Sequence, residues 1–166
     1  MQEPLYTTPA PLPRSFWLYS LGTALLALSP TLLAMGLQLV VNLMNHVNPM
    51  AVGGAYLRPG AMEILGNVLL APLAETAVLA LAVTLLRSRI HSALAVSLLW
   101  AIVWGLVHVY LQGWFKFLPA VWGFFFFTRA YQVWREHSLP KGFAAALLPH
   151  MLVNTALLAV VFVYAM

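Results

Sequence analysis

The sequence predicts an all-α fold, a polytopic bundle of about five transmembrane helices, and three observations carry that prediction. Of the 166 residues, 63% are hydrophobic and only 7% are charged, against roughly 25% charged in a soluble globular domain. So few charges cannot cover a water-facing surface. The mean hydropathy is +0.89. The apolar residues also fall into separate runs of roughly 20 residues, the length a helix needs to cross a hydrocarbon core of about 30 Å. The length suits a single domain.

Taken in order, residues 1–14 (MQEPLYTTPAPLPR) are polar and Pro-rich and read as an irregular cytoplasmic leader, leaving 15–166 as one helical domain. The first span is Phe16–Met44, with Pro30 marking a kink or a boundary. The stretch 45–61 (NHVNPMAVGGAYLRPGA) is the longest loop, punctuated by Pro and Gly. The second span runs over about Met62–Leu86, closed by Arg87 and Arg89. The third runs over about Ile90–Trp114 and ends before Lys116. The fourth, Phe117–Trp134, is shorter and is built around Phe124–Phe127, with Arg129 snorkelling to the interface. The fifth, about Gly142–Met166, follows the polar turn REHSLPKG. There is no internal repeat. The first apolar run is too long for a signal-peptide core, and no A-x-A-type cleavage site precedes a mature domain, so Met1 reads as the mature start.

Charge decides orientation. With five spans, Arg14, Arg87, Arg89, Arg129, Arg135 and Lys141 collect on the N-terminal side, and only Arg58 and Lys116 lie opposite. The positive-inside rule then puts the N-terminus in the cytoplasm, as expected for a protein of the bacterial inner membrane. The net charge of +4 is scattered between apolar runs with no basic cluster, which argues against nucleic acid as a partner. The absence of cysteine rules out disulfides, thiolate catalysis and Cys-based metal sites.

An ionisable residue inside a span costs about 2.5–3.5 kcal/mol on insertion scales, so each such residue is a functional candidate. Glu75 lies at the centre of span two, His108 in span three and His150 in span five. Asn154 follows His150 by four residues and shares its helix face. Alone, Glu75 reads equally as a catalyst or as interhelical hydrogen-bonding glue, and single His or Asn residues on apolar helices read more often as structural. Together, on deep stretches, they are expected to converge on one polar pocket. Pro72 and Pro149 flank Glu75 and His150, and each removes a backbone donor and strands a carbonyl one turn back. Lipid tolerates that where a cavity, water or another group satisfies the freed carbonyl. Trp100, Trp104, His108 and Gln112 recur every four residues along span three, as an aromatic packing seam or as a substrate wall. Gln38, Asn42 and His46 make a similar stripe on span one, read as structural or interfacial.

Three motifs stand in order along the chain: "APLAETAVLA" (71–80), "WGLVH" (104–108) and "HMLVN" (150–154). In that order the chain resembles the CAAX-protease and bacteriocin-processing (CPBP, or Abi) family of intramembrane proteases. Its motifs are a Glu-Glu pair after Ala-Pro followed by an aromatic residue and Arg, a Gly-x-x-His preceded by an aromatic residue, and His-x-x-x-Asn or His-x-x-x-Asp. The resemblance covers roughly residues 62–160. Three positions depart from it: Thr76 stands for the second Glu, Leu79 for the aromatic residue and Ala80 for the Arg. Acid and base are lost together, so neither is left as a stranded buried charge.

The resemblance implies an intramembrane endopeptidase acting on a membrane-embedded or lipid-modified protein or peptide. Glu75 and His108 would activate a water, and His150 and Asn154 would stabilise the oxyanion. Thr76, Trp104 and Gln112 are candidates for the substrate pocket. No cofactor is expected, although Glu75, His108 and His150 are also a conceivable three-ligand set for Zn²⁺. The alternative reading, favoured by Thr76 and Ala80, is a catalytically inactive relative serving as a membrane scaffold, immunity protein or complex subunit. A transporter is disfavoured because no paired repeat is present.

Overall fold

The computed structural model describes residues 15–45 and 60–164, and no strand occurs among the described residues. Helix α1 is Phe16–Met44. Helix α2 spans Ala61–Arg87 and is interrupted by a π-helical turn at Gly66–Leu70. Helix α3 is Ala93–Gln112, followed by a 3₁₀ turn at Trp114–Lys116. Helices α4 and α5 are Phe117–Arg135 and Leu139–Tyr164. The leader 1–14, most of the 45–61 loop, His46 and the side chains of Gln38 and Asn42 lie outside the described residues.

Among the described residues, four stretches, in α1, α2, α3 and α5, are long and apolar enough to cross a membrane, and the chain is an integral membrane protein. Helix α4 falls short by composition, because it carries Thr128, Arg129 and Gln132. Its 19 residues nevertheless rise about 29 Å, the thickness of a hydrocarbon core. The reason for its polarity is position. Helix α4 packs against all four other helices, and Thr128, Gln132, Phe124, Phe127 and Tyr131 are buried. Most of the large apolar side chains left exposed, such as Leu21, Leu25, Leu98, Ile102 and Leu106, lie on the other helices, with Leu118 and Trp122 exposed on α4, and they form the surface that lipid covers.

Local chemistry fixes the connections. Ser92 caps α3 by accepting from the Ala95 amide at 3.2 Å. The Arg87 guanidinium donates to the Ile90 carbonyl at 3.3 Å and also to the His91 carbonyl, closing the α2–α3 turn. The Gln132 amide of α4 donates to the Ala93 carbonyl at 3.1 Å and the Ser97 hydroxyl at 2.8 Å, fixing α3 to α4. At the far end of α3, Gly113 adopts φ 101°. That left-handed geometry suits glycine and stops the helix.

Pro30 lies inside α1 and so deprives the Leu26 carbonyl of its helical donor. Two side chains replace it: the Trp122 indole N–H of α4 at 2.7 Å and the Ser29 hydroxyl at 2.8 Å. The kink residue is therefore also an interhelical tie.

Helices α3 and α4 approach closely at Gly105. A Cβ there would collide with the Val121 methyl and stand 3.2 Å from the Phe117 ring. Gly105→Ala is expected to cost about 1–3 kcal/mol, the usual penalty of overpacking. Thermal unfolding in detergent micelles checks this.

Candidate active site

The three motif histidine and glutamate residues reach one place because of helix phase. On α2, Pro72, Thr76, Leu79 and Val83 are buried, a spacing of three to four residues that defines the packed face. Glu75 sits about 100° round from Thr76 and faces inward to a cavity of about 350 Å³. All five helices line this cavity: Ala27 and Thr31 from α1, Asn67 and Glu75 from α2, His108 and Gln112 from α3, Phe124 and Phe127 from α4, and His150 and Asn154 from α5.

At the floor, the Glu75 carboxylate lies 3.4 Å from His150 Nε2, through its Oε2 atom. The same oxygen accepts from the Trp104 indole N–H at 3.4 Å. His150 is itself buried at 4% exposure, stacked on Phe127 with ring centroids 4.7 Å apart. Its Nδ1 has no partner among the described residues. A neutral imidazole with its proton on Nε2 leaves only a lone pair unpaired there, whereas an imidazolium would bury a second N–H without an acceptor. The unpartnered Nδ1 therefore favours a neutral imidazole with its Nε2 toward the Glu75 carboxylate.

His108 also lines the cavity and packs on Phe124. Its ring centroid is 5.7 Å from that of Phe124, and the His150 centroid is 5.3 Å from the same ring. His108 Nδ1 lies 3.1 Å from the Trp104 carbonyl. A carbonyl only accepts, so Nδ1 carries the proton and Nε2 is the basic nitrogen.

Counting from the predicted ends of spans three and five puts His108 and His150 about 15 Å apart in depth. The observed helices begin at Ala93 and Leu139, not near Ile90 and Gly142. Measured from there the two histidines differ by four residues, or about 6 Å, and both rings pack on Phe124.

The remaining predicted residues separate. Gln112 lines the cavity near its rim. Trp104 is not in the lining, but it packs on Phe124 at 5.1 Å between centroids and holds Glu75. The stripe on α3 is thus divided: Trp100 and Trp104 pack on each other as a seam, with tilted rings 5.4 Å apart, and His108 and Gln112 are cavity wall. Thr76 is 1% exposed and faces the packed core.

Asn154 lines the cavity and donates its amide to the Asn67 backbone carbonyl at 2.8 Å. That carbonyl is without a helical donor. In the π turn the Ala71 N–H goes to the Gly66 carbonyl, so the next donor in register would be residue 72, which is proline. Pro72 does strand a carbonyl, and Asn154 reaches across from α5 to take it.

Sequence reasoning missed Asn67, Lys116 and the site role of Phe124 and Phe127. Asn67 had a signal, as the one amide in the apolar run before Pro72. Among the described residues, no three His, Asp or Glu side chains are grouped to hold a metal ion. No protein-family model, characterised protein or solved structure matches this chain.

Proposed function

We propose that this chain is an intramembrane endopeptidase of the kind its three motifs resemble, cutting a membrane-embedded or lipid-modified polypeptide with a glutamate-activated water. One observation carries the reading: a half-buried carboxylate inside the bundle, beside an indole donor and the His150 imidazole, at the floor of a cavity lined by a second imidazole. A purely structural Glu75 would have no use for the cavity beside it or for the free Nε2 of His108.

In the proposed reaction a water in the cavity gives one proton to Glu75 while His108 Nε2 accepts its other hydrogen as a hydrogen bond. The hydroxide oxygen bonds to the peptide carbonyl carbon, and the carbonyl oxygen becomes the oxyanion. As Glu75 becomes protonated it needs the His150 N–H less, and that donor turns to the oxyanion. Asn154 keeps one amide hydrogen on Asn67 and offers the other. Each such donor is worth about 2.7–4 kcal/mol to the transition state. Glu75 then returns its proton to the leaving nitrogen as the C–N bond breaks, giving a carboxylate-bearing and an amine-bearing fragment.

Thr76 fits this scheme. Its position points into the packed core beside Leu79 and Val83, where a second carboxylate without the Arg that Ala80 replaces would be an unpaired buried charge. The steps above use side chains alone. Detergent-solubilised protein incubated with a membrane fraction should yield Glu75-dependent fragments, and a strong zinc chelator should leave their rate unchanged. Loss of activity on chelation, restored by Zn²⁺, would replace the metal-free scheme.

A further inference from the structure

The cavity has a direction, and the charges give that direction a side. On α2, α4 and α5 the lining runs over eight residue steps, from Glu75 to Asn67, from Phe127 to Pro119 and from His150 to Leu158. All three runs lead away from the Glu75–His150 floor toward the same end of the bundle, a depth of about 12 Å. Gln112 and Lys116 form the polar part of the rim at that end.

The opposite end gathers the other charges. Phe16 at the start of α1 packs on Trp134 near the end of α4, with centroids 5.0 Å apart. The Thr84 hydroxyl of α2 meets the Tyr131 hydroxyl at 3.5 Å, and Gln132 bonds Ala93 at the start of α3. These contacts bring Arg87, Arg89, Arg135 and Lys141 to the end where α1 begins. Short, Arg- and Lys-rich turns of this kind stay in the cytoplasm, so the rim faces the other side.

Backbone chemistry limits what can react there. Inside a helix each peptide carbonyl is already engaged by an N–H of the same segment, so a carbonyl offered to a water comes from a locally extended stretch. Resting on the peptide-cleaving reading above, we propose that the site takes an extended segment of an already translocated polypeptide, entering from the non-cytoplasmic face.

The natural chain has no cysteine, so single cysteines report access without background. Gln112→Cys and Ala71→Cys place thiols in the cavity, and Ser88→Cys places one on the exposed α2–α3 turn. In spheroplasts of a bacterium expressing the full chain, a membrane-impermeant maleimide should label Gln112→Cys. A small charged methanethiosulfonate should reach Ala71→Cys. Ser88→Cys should react only after permeabilisation. The reverse pattern, or cavity thiols that react only after denaturation, would overturn the proposal. Mapping cleavage sites in parallel separates it from the functional reading. Glu75-dependent cuts on the cytoplasmic side of the substrate's span would overturn the direction of entry and leave the protease standing. An absence of any Glu75-dependent cut would remove the protease, and the substrate with it, whichever way the cavity faces.

Discussion

Glu75→Gln is expected to abolish cleavage and leave the bundle folded. The amide keeps an oxygen for the Trp104 indole, which donates to the carboxylate at 3.4 Å, and for His150 Nε2, which lies 3.4 Å from it. What it removes is the only group in the scheme that takes a proton from water and returns it to the leaving nitrogen. General acid–base roles contribute about 10²–10⁴-fold each, so a loss of about a thousandfold or more is expected from losing both. Thermal unfolding in detergent should barely move. His108→Ala should give a smaller loss, because it removes the water's second acceptor and leaves the base. A Glu75→Gln protein that fails to fold would show instead that the carboxylate is structural glue.

The second large effect concerns Asn154. Asn154→Ala strips the Asn67 carbonyl of its partner in a region where neither Ala71 nor Pro72 can donate to it. An interhelical hydrogen bond between membrane helices is worth about 0.6–2 kcal/mol, so a destabilisation in that range is expected. Pro72→Ala should make the same change nearly silent. Residue 72 then carries an N–H that can reach Asn67 in the π register, or the turn relaxes to α register and Ala71 supplies it. Unfolding of wild type, both single variants and the double variant measures the coupling. Additive effects would mean that Asn154 does not serve the proline-freed carbonyl. The tie also has a consequence for the site, since it joins the turn before Glu75 to the helix carrying His150.

Much of this architecture was legible because lipid is an unforgiving solvent. Apolar runs of the right length located every long helix, and the cost of a charge in hydrocarbon singled out Glu75, His108 and His150, which the bundle brings to one cavity. Helix ends were read less well. The third helix begins at Ala93 because Ser92 caps it and Arg87 closes the preceding turn, both side-chain effects that an apolar-run count does not register. Helix α4 looked the weakest span and is the central one, because hydropathy reports exposure to lipid and not membership of the bundle. The π turn left no trace in composition. It inserts one residue into a helical turn, and only the hydrogen bond from Asn154 to Asn67 reveals which carbonyl it frees. Nor did sequence separate the tryptophan seam from the cavity wall, since both share one four-residue period.

The most direct test maps the termini of membrane polypeptides by mass spectrometry in cells expressing, at equal levels, the wild-type chain, Glu75→Gln or His108→Ala. A Glu75-catalysed hydrolysis predicts new termini in the wild-type membranes that vanish with Glu75→Gln and diminish with His108→Ala. Identical termini in all three would contradict it and leave a bundle whose half-buried carboxylate serves a scaffold.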